Sequence, residues 1–135
     1  MSQAPELALI VDPDRDQQWI LAKALMPQYH PIGAGSLTEA NVCLMQERPA
    51  IILIELDEPD GDGIAWIRHL RANPHWQSVT IACVTRRATS FRDKVAGFQA
   101  GANDYIVKPV DASTFLTRIM LLERICRLGI VLGRP

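Results

Sequence analysis

A short apolar segment at residues 50–54 limits the folds open to this chain more than any other stretch. It reads Ala-Ile-Ile-Leu-Ile, and acidic residues and the turn 59–63 follow it directly. An apolar run bounded in this way predicts a strand that is buried on both faces of a parallel sheet. A helical pattern then begins at Ile64. The strand is therefore predicted to place carboxylates at its carboxyl end, where open α/β sheets bind ligands.

Similar apolar runs recur along the chain, and a helical pattern follows each of them. The predicted strands cover residues 7–11, 29–34, 50–54, 79–84 and 104–107. Five strands alternating with five helices predict an α/β fold, a doubly wound parallel sheet with helices on both faces. Pro31 lies in the second run and has no N–H for a central ladder, so that strand is predicted at an edge. This favours the flavodoxin-like strand order 2-1-3-4-5.

Residues on the predicted helices suggest which faces are buried. The first helix begins at Asp14 or Asp16, and its predicted apolar face consists of Trp19, Ile20, Ala22, Leu25 and Met26. The last helix begins after Asp111, and its predicted buried side consists of Phe115, Leu116, Ile119, Met120, Leu122 and Ile125. Trp76 follows Asn-Pro-His at 73–75, where the helical pattern is interrupted, and it is a candidate for a partly exposed anchor residue.

Length and composition point to one ordinary domain. The 135 residues suit a single core over residues 1–128, with 129–135 as a linker or chain end. A net charge of −1 gives no reason to expect nucleic acid or a membrane as the partner of this domain. Three scattered cysteines argue against a disulfide scaffold. Neither a signal peptide nor an apolar membrane-spanning run is recognisable, which predicts a cytoplasmic location.

Polar side chains stand at four predicted strand ends that face one crevice. They are Asp12, Glu55, Thr85 and Lys108. Carboxylates of this kind hold Mg²⁺, whereas a lysine and a hydroxyl bind phosphoryl oxygens. One such residue alone is unremarkable, but four at consecutive strand ends predict a site for a phosphoryl group.

These residues and the motifs around them resemble the receiver domain of two-component response regulators. The resemblance rests on Ile-Val-Asp at 10–12, the loop 59–63, Val-Thr at 84–85, residues 100–105 and Val-Lys-Pro at 107–109. It implies that an aspartate four residues before the loop proline accepts phosphate from a histidine kinase, and that an acidic pair after the first strand holds Mg²⁺. It also implies that Thr85 and Lys108 contact the phosphoryl group, and that Tyr105 swings inward on activation.

The sequence departs from this family at the chemical positions. Glu55 occupies the acceptor position, Pro13 replaces the second acid, and Arg86 stands where a small residue is usual. The pocket keeps the acids Asp12, Glu55 and Asp57, but its Mg²⁺ site is predicted to be weak or absent. We therefore expect a pseudo-receiver that is not an enzyme, holds no cofactor beyond weak Mg²⁺, and works without phosphorylation.

Several alternatives stay open at this point. Glu55 either mimics a phosphoryl group or belongs to an inert site on a fold kept for docking. Asp57 is an alternative acceptor, which would make the chain a conventional phospho-switch. Arg86 either is solvated or modifies the pocket by pairing with Glu55 or blocking a phosphodonor. A flavodoxin-like FMN redox protein is a remote alternative, because the acids after the first strand would repel the FMN phosphate.

Partners are expected through the face made by helix 4, strand 5 and helix 5. The resemblance implies contact there with an output domain, a partner signalling protein or a second copy of the chain, and a histidine kinase as an upstream partner. Residues assigned to this surface are Arg92, Lys94, Asp104, Asp111, Arg118, Glu123 and Arg127.

Overall fold

The computed structural model describes residues 4–86 and 90–129. Its five-stranded parallel sheet consists of β1 (Glu6–Val11), β2 (Tyr29–Ala34), β3 (Ile51–Ile54), β4 (Thr80–Thr85) and β5 (Asp104–Val107). The order across the sheet is β2-β1-β3-β4-β5, with β2 at an edge. The predicted flavodoxin-like topology is confirmed, including the edge position of the strand that contains Pro31.

Five helices cover the sheet, and each begins at a polar cap. They are α1 (Arg15–Leu25), α2 (Leu37–Gln46), α3 (Gly63–Ala72), α4 (Phe91–Ala100) and α5 (Ala112–Arg127). The caps Asp14, Ser36, Asp62, Ser90 and Asp111 accept hydrogen bonds from backbone N–H groups of the first turn. These bonds satisfy donors that a helix cannot satisfy internally.

Alternate residues of each strand face two separate cores. One face of the sheet packs under α2, α3 and α4, with Ile54 and Ile67 among its buried residues. The other face packs under α1 and α5, with Leu53 and Ile119 among its buried residues. Because both faces are covered, the central strands carry the continuous apolar runs that predicted them.

Strand register brings the polar strand ends to one edge of the sheet. Val11 lies opposite Ile54, and Ile54 lies opposite Cys83. Thr85 lies opposite Val107. The residue after each of these strand ends, or Thr85 itself, therefore reaches the crevice at the carboxyl edge.

A two-stranded hairpin at the carboxyl edge was not predicted from the sequence. Asp57–Glu58 pairs antiparallel with Gly61–Asp62, and we call residues 57–62 the site hairpin. The carboxylate of Asp60 accepts hydrogen bonds from the backbone N–H groups of Leu37 and Thr38 at 2.9 and 2.8 Å, and from the Thr38 hydroxyl at 2.6 Å. The tip of the hairpin is thus tied to the first turn of α2.

The predicted buried faces of two helices are correct only in part. In α1 the core contacts come from Leu21 and Leu25, whereas Trp19 is 61% exposed and lies under the ammonium of Lys23. Ile20 and Met26 are also exposed. Apolar residues surround this helix on more than one side, so spacing alone did not single out the face that meets the sheet.

The other corrections concern α5 and Trp76. In α5 the prediction holds for Phe115, Leu116, Ile119 and Leu122, which all pack in the core under this helix. Met120 and Ile125 are instead exposed. Trp76 is buried rather than a partly exposed anchor, and the guanidinium of Arg48 lies over its ring.

Two further observations concern the ends and the surroundings of the domain. Within residues 4–86 and 90–129, no helix combines the length and apolar character that a membrane span needs. Of the predicted linker 129–135, Gly129 is described and exposed, and residues 130–135 lie outside the described residues.

Candidate functional site

A buried lysine joins two carboxylates at the carboxyl edge of the sheet. The ammonium of Lys108 lies 2.6 Å from Asp12 Oδ2 and 3.1 Å from Glu55 Oε1. The side chains of Lys108, Asp12 and Glu55 are 5%, 2% and 7% exposed. Charges buried to this extent need partners, and here one cation serves two anions. We refer to Asp12, Glu55, Thr85 and Lys108 as the Glu55 cluster.

The carboxylate of Glu55 accepts hydrogen bonds from four donors. The Thr85 hydroxyl and the Asp57 N–H, the latter at 3.4 Å, reach Oε2. The Lys108 ammonium and the Arg86 N–H reach Oε1, both at 3.1 Å. Burial alone would raise the pKa of Glu55, but the hydrogen bonds from Thr85 and Lys108, with the charge of Lys108 and the Arg86 N–H, lower its pKa below the ordinary value. Glu55 is therefore held as a carboxylate.

The residues after β1 do not form the acidic pair that the resemblance implies. Asp12 Oδ2 faces Lys108, and Oδ1 accepts the N–H of Asp14 at 2.9 Å. Pro13 has no side-chain ligand. Asp14 caps α1 through the N–H groups of Asp16 and Gln17.

The residues present therefore fit Mg²⁺ poorly. This hard cation requires oxygen ligands, and both carboxylates of the Glu55 cluster are already bound to an ammonium. No group of three or more metal-binding side chains exists within the part of the chain that the structure describes. Any divalent cation at this edge would compete with Lys108 for both carboxylates.

Arg86 contributes its backbone, not its side chain, to Glu55. Its side chain is 64% exposed, and its guanidinium lies 3.7 Å from the carboxylate of Asp14. The structure therefore does not support pairing of the Arg86 side chain with Glu55. Asp57 is exposed and offers its N–H to Glu55.

Tyr105 lies on β5 with its ring inside the domain. The residue is only 6% exposed and belongs to the core under α4. A Cβ atom at Gly97 of α4 would lie 2.9 Å from Cδ2 of the ring and 3.7 Å from Cys83 Sγ. The ring therefore occupies space that a glycine in α4 leaves open.

Glu58 belongs to the same region, although no sequence pattern indicates this. Both of its carboxylate oxygens are buried, and neither has a hydrogen-bond partner among the described residues. Burial, followed by the negative charges of Asp12, Asp60 and Glu55, raises the pKa of Glu58 to about 8, and the charge of Lys108 opposes this rise. The density of acids between Glu55 and Asp62 was the sole available signal, and it carries no periodicity.

The face made by α4, β5 and α5 carries one well-formed ion pair. The guanidinium of Arg118 binds Asp104 through two hydrogen bonds of 2.7 and 2.8 Å. Such bidentate pairs fix geometry as well as charge. Glu123, which was assigned to this surface, is instead buried.

Comparison with known proteins identifies the family to which this arrangement corresponds. Residues 8–120 match the family model described as response regulator receiver domain. The transcriptional regulatory protein PrrA of Mycobacterium tuberculosis is 32% identical over 117 residues, which cover 86% of this chain and 49% of PrrA. KdpE of Staphylococcus aureus is 28% identical over 88% of this chain and 50% of its own length. The chain thus spans about half the length of these curated relatives.

Solved structures agree with the fold. The crystal structure of a putative response regulator from Chloroflexus aurantiacus superposes on this chain with a TM-score of 0.82 at 28% identity. The match covers 89% of this chain and 98% of that one. A CheY-like receiver domain protein from Methanospirillum hungatei gives a TM-score of 0.83 at 22% identity, covering 93% and 98%. The second likeness concerns the fold alone.

Proposed function

This chain belongs to the response regulator receiver family, and from that premise we propose that it is a phosphorylation-independent signalling module of a two-component system. In this proposal the chain is not an enzyme and needs no cofactor. Its signalling state is set by Glu55 rather than by a kinase. The missing acceptor aspartate and the missing second acid both argue against phosphoryl transfer, which depends on nucleophile placement and cation neutralisation.

One observation carries the proposal, namely the four donors around Glu55. Two of them, Thr85 and Lys108, are the residues that the resemblance assigns to contact with a phosphoryl group. The longer side chain of glutamate brings its carboxylate to both donors at once. This favours the interpretation that Glu55 mimics a phosphoryl group over the interpretation that the site is inert.

The inward position of Tyr105 supports the same interpretation. In the family, as the resemblance implies, this aromatic residue turns inward on activation. Here the Tyr105 ring is buried against α4 while Thr85 is bonded to Glu55. We therefore propose that Glu55 holds the domain in an active-like state.

Output is proposed to pass through protein contacts on the face of α4, β5 and α5. The relatives PrrA and KdpE are named transcriptional regulatory proteins and extend beyond the matched region. By analogy, we propose that this domain acts on an output domain or a partner signalling protein. A histidine kinase and a second copy of the chain are further proposed partners.

Treatment with acetyl phosphate and Mg²⁺, followed by intact-mass spectrometry, tests phosphorylation independence. We expect no phosphoryl adduct on the wild-type chain. The variant Glu55→Asp combined with Pro13→Asp restores the acceptor and the second acid, and it should gain an adduct. An adduct on the wild-type chain that is lost in Asp57→Asn would instead establish a conventional phospho-switch at Asp57.

A second experiment separates the mimic from the inert site. NMR contacts between the Tyr105 ring and Gly97 should be strong in the wild-type chain. In Glu55→Ala the Thr85 hydroxyl loses its acceptor, and these contacts should weaken as the ring moves outward. Contacts of unchanged strength in Glu55→Ala would support the inert version.

A further inference from the structure

Arg71, in the last turn of α3, connects three parts of the chain that lie far from the Glu55 cluster in sequence. Its guanidinium donates hydrogen bonds of 3.2, 3.1 and 2.6 Å to backbone carbonyls of the loop before β4, namely those of Trp76, Gln77 and Val79. It also donates to the carbonyl of Gly101 at 2.9 Å and to Asn103 Oδ1 at 2.8 Å. One side chain therefore ties the end of α3 to the connection between α4 and β5.

The connection between α4 and β5 is shaped to receive Arg71. Gly101 caps α4 with a φ of +122°, a backbone conformation that favours glycine. A Cβ atom at Gly101 would lie 2.5 Å from Cγ of Arg71, so glycine also leaves room for the arginine stem. Asn103 Oδ1 accepts the N–H of Ile81 at 2.9 Å, and the N–H of Asn103 donates to the Ile81 carbonyl at 2.7 Å. Arg71 thus holds a residue that is already docked on β4.

The contact between Tyr105 and α4 lies next to this connection on both sides. Gly97, which faces the Tyr105 ring, precedes Gly101 by four residues, and its carbonyl accepts the N–H of Ala102 at 3.1 Å. Tyr105 follows Asn103 by two residues on β5. The separation of the ring from Gly97 therefore depends on how the connection is held.

We propose that Arg71 is a positioning residue for Tyr105, which fixes α4 and β5 relative to each other so that the ring lies against Gly97. This inference rests on the proposed function, because Tyr105 is the residue on which Glu55 is proposed to act. Glu55 follows β3 at the carboxyl edge of the sheet, whereas the connection held by Arg71 precedes β5 at the opposite edge. The ring is thus held from both edges of the sheet.

A guanidinium suits this role because its donors point in fixed directions within one plane. Nε serves Gly101, Nη2 serves Asn103, and Nη1 serves the loop before β4. A lysine ammonium presents its three donors from a single point and cannot reproduce this span. A residue that served packing alone would need only the aliphatic stem of Arg71.

NMR contacts between the Tyr105 ring and Gly97, measured on the whole folded chain, test the inference. Arg71→Met keeps the stem but loses the hydrogen bonds of the guanidinium, and the ring contacts should lose intensity although Glu55 is unchanged. Arg71→Lys should show the same loss, and it is the second variant should Arg71→Met fail to fold. Urea denaturation of each variant measures the change in stability separately.

Two control variants should keep the ring contacts. Asn103→Asp retains the Oδ1 acceptor for Arg71 and for the N–H of Ile81. Arg48→Met also removes an arginine from the loop before β4, but the hydrogen bond of Arg48 goes to the carbonyl of His75 at 3.3 Å, outside the connection between α4 and β5. Ring contacts that weaken equally in Arg48→Met would overturn the inference.

Ring contacts that persist in the folded Arg71 variants would also overturn it, even where stability falls, because a merely structural role predicts only the loss of stability. The proposed function fails in a different way. Contacts that weaken in the Arg71 variants but not in Glu55→Ala would refute the phosphoryl mimic and leave the positioning role of Arg71 standing. Contacts that weaken in Glu55→Ala alone would do the reverse.

Discussion

Glu55 and Glu58 are the same residue type three positions apart, yet their surroundings are opposite. Glu55 accepts hydrogen bonds from four donors, and its pKa is lowered. Glu58 has no donor among the described residues, and its pKa is raised to about 8. Both side chains carry buried carboxylate oxygens, so burial alone does not separate them. The difference lies in where Lys108, Thr85 and the backbone N–H groups point.

The comparison teaches that the supply of donors, not the number of acids, decides which carboxylate keeps its charge. Lys108 is the ammonium shared by Asp12 and Glu55, and Glu58 gains little from it. A receiver that binds Mg²⁺ would bring additional positive charge to this edge.

Removal of Lys108 should have the largest effect on stability, because Glu55 would then lose the cation that distinguishes its surroundings from those of Glu58. Lys108→Met keeps an apolar stem but leaves Asp12 and Glu55 buried without a cation. We expect a loss of about 3–5 kcal/mol in the free energy of unfolding at pH 7, measured by urea denaturation. Lys94→Met, on the exposed surface of α4, should stay within about 0.5 kcal/mol. A loss below about 1 kcal/mol for Lys108→Met would contradict the shared-cation account.

Replacement of Glu55 tests the carboxylate that accepts four hydrogen bonds. Glu55→Gln keeps the shape but weakens the charge-assisted bonds, so we expect a loss of about 2 kcal/mol at pH 7. Because the pKa of Glu55 is lower in the folded state, its stabilisation is present above the unfolded value and is lost as pH falls through the folded value. Denaturation curves at successive pH values below 5 should therefore converge for wild type and Glu55→Gln. Parallel curves down to acid pH would show that Glu55 gains no stabilisation as a carboxylate.

Replacement of Glu58 should change stability in the opposite direction. Its pKa is raised in the folded state, so the stability associated with the neutral form is present below the unfolded value and is lost as pH rises to about 8. We expect Glu58→Gln to stabilise the domain by about 1–2 kcal/mol at pH 8.5, which is less than the full pKa shift implies because solvent screens a partly buried carboxylate. Thermal or urea unfolding at pH 5 and 8.5 measures the difference. A stability gain at pH 5 equal to that at pH 8.5 would exclude ionisation as its cause.

The smallest expected effect concerns Tyr105, on which the state of Glu55 is proposed to act. Gly97→Ala adds a methyl group 2.9 Å from the ring, while alanine favours the helix by about 1 kcal/mol. We expect a net loss of about 1 kcal/mol or less, together with an outward shift of the ring in NMR spectra. In a Tyr105→Ala background the same change should become stabilising. Stabilisation in both backgrounds would show that the ring does not need the space at Gly97.

Much of the Glu55 cluster could be predicted because parallel sheets gather strand ends. The apolar runs located β1, β3, β4 and β5, and the polar residue at the end of each strand could be identified directly from the sequence. Parallel pairing then brings Asp12, Glu55, Thr85 and Lys108 to one edge whatever the detailed packing. The family resemblance added the expected roles, and the position of Glu55 in place of aspartate was visible from spacing to Pro59.

Other features depend on contacts that no local pattern encodes. Each strand of the site hairpin is only two residues long. Asp60 anchors the hairpin to Leu37 and Thr38 of α2, which lie 23 and 22 residues earlier in the chain. Glu58 lies in that hairpin, and its carboxylate oxygens are buried. Trp19 is exposed because α1 meets the sheet through Leu21 and Leu25. In each case tertiary packing selected one outcome among several that local sequence permits.

The bond between Lys108 and Asp12 joins residues 96 positions apart. Closing such a span costs chain entropy that only a nearly complete sheet can offset. Lys108 follows the last strand, so its ammonium reaches the first strand only after β3 and β4 have docked between them. A nascent or partly unfolded chain therefore lacks the bridge altogether. Under the proposed function, the signalling state set by Glu55 and Lys108 therefore forms only when the sheet is complete.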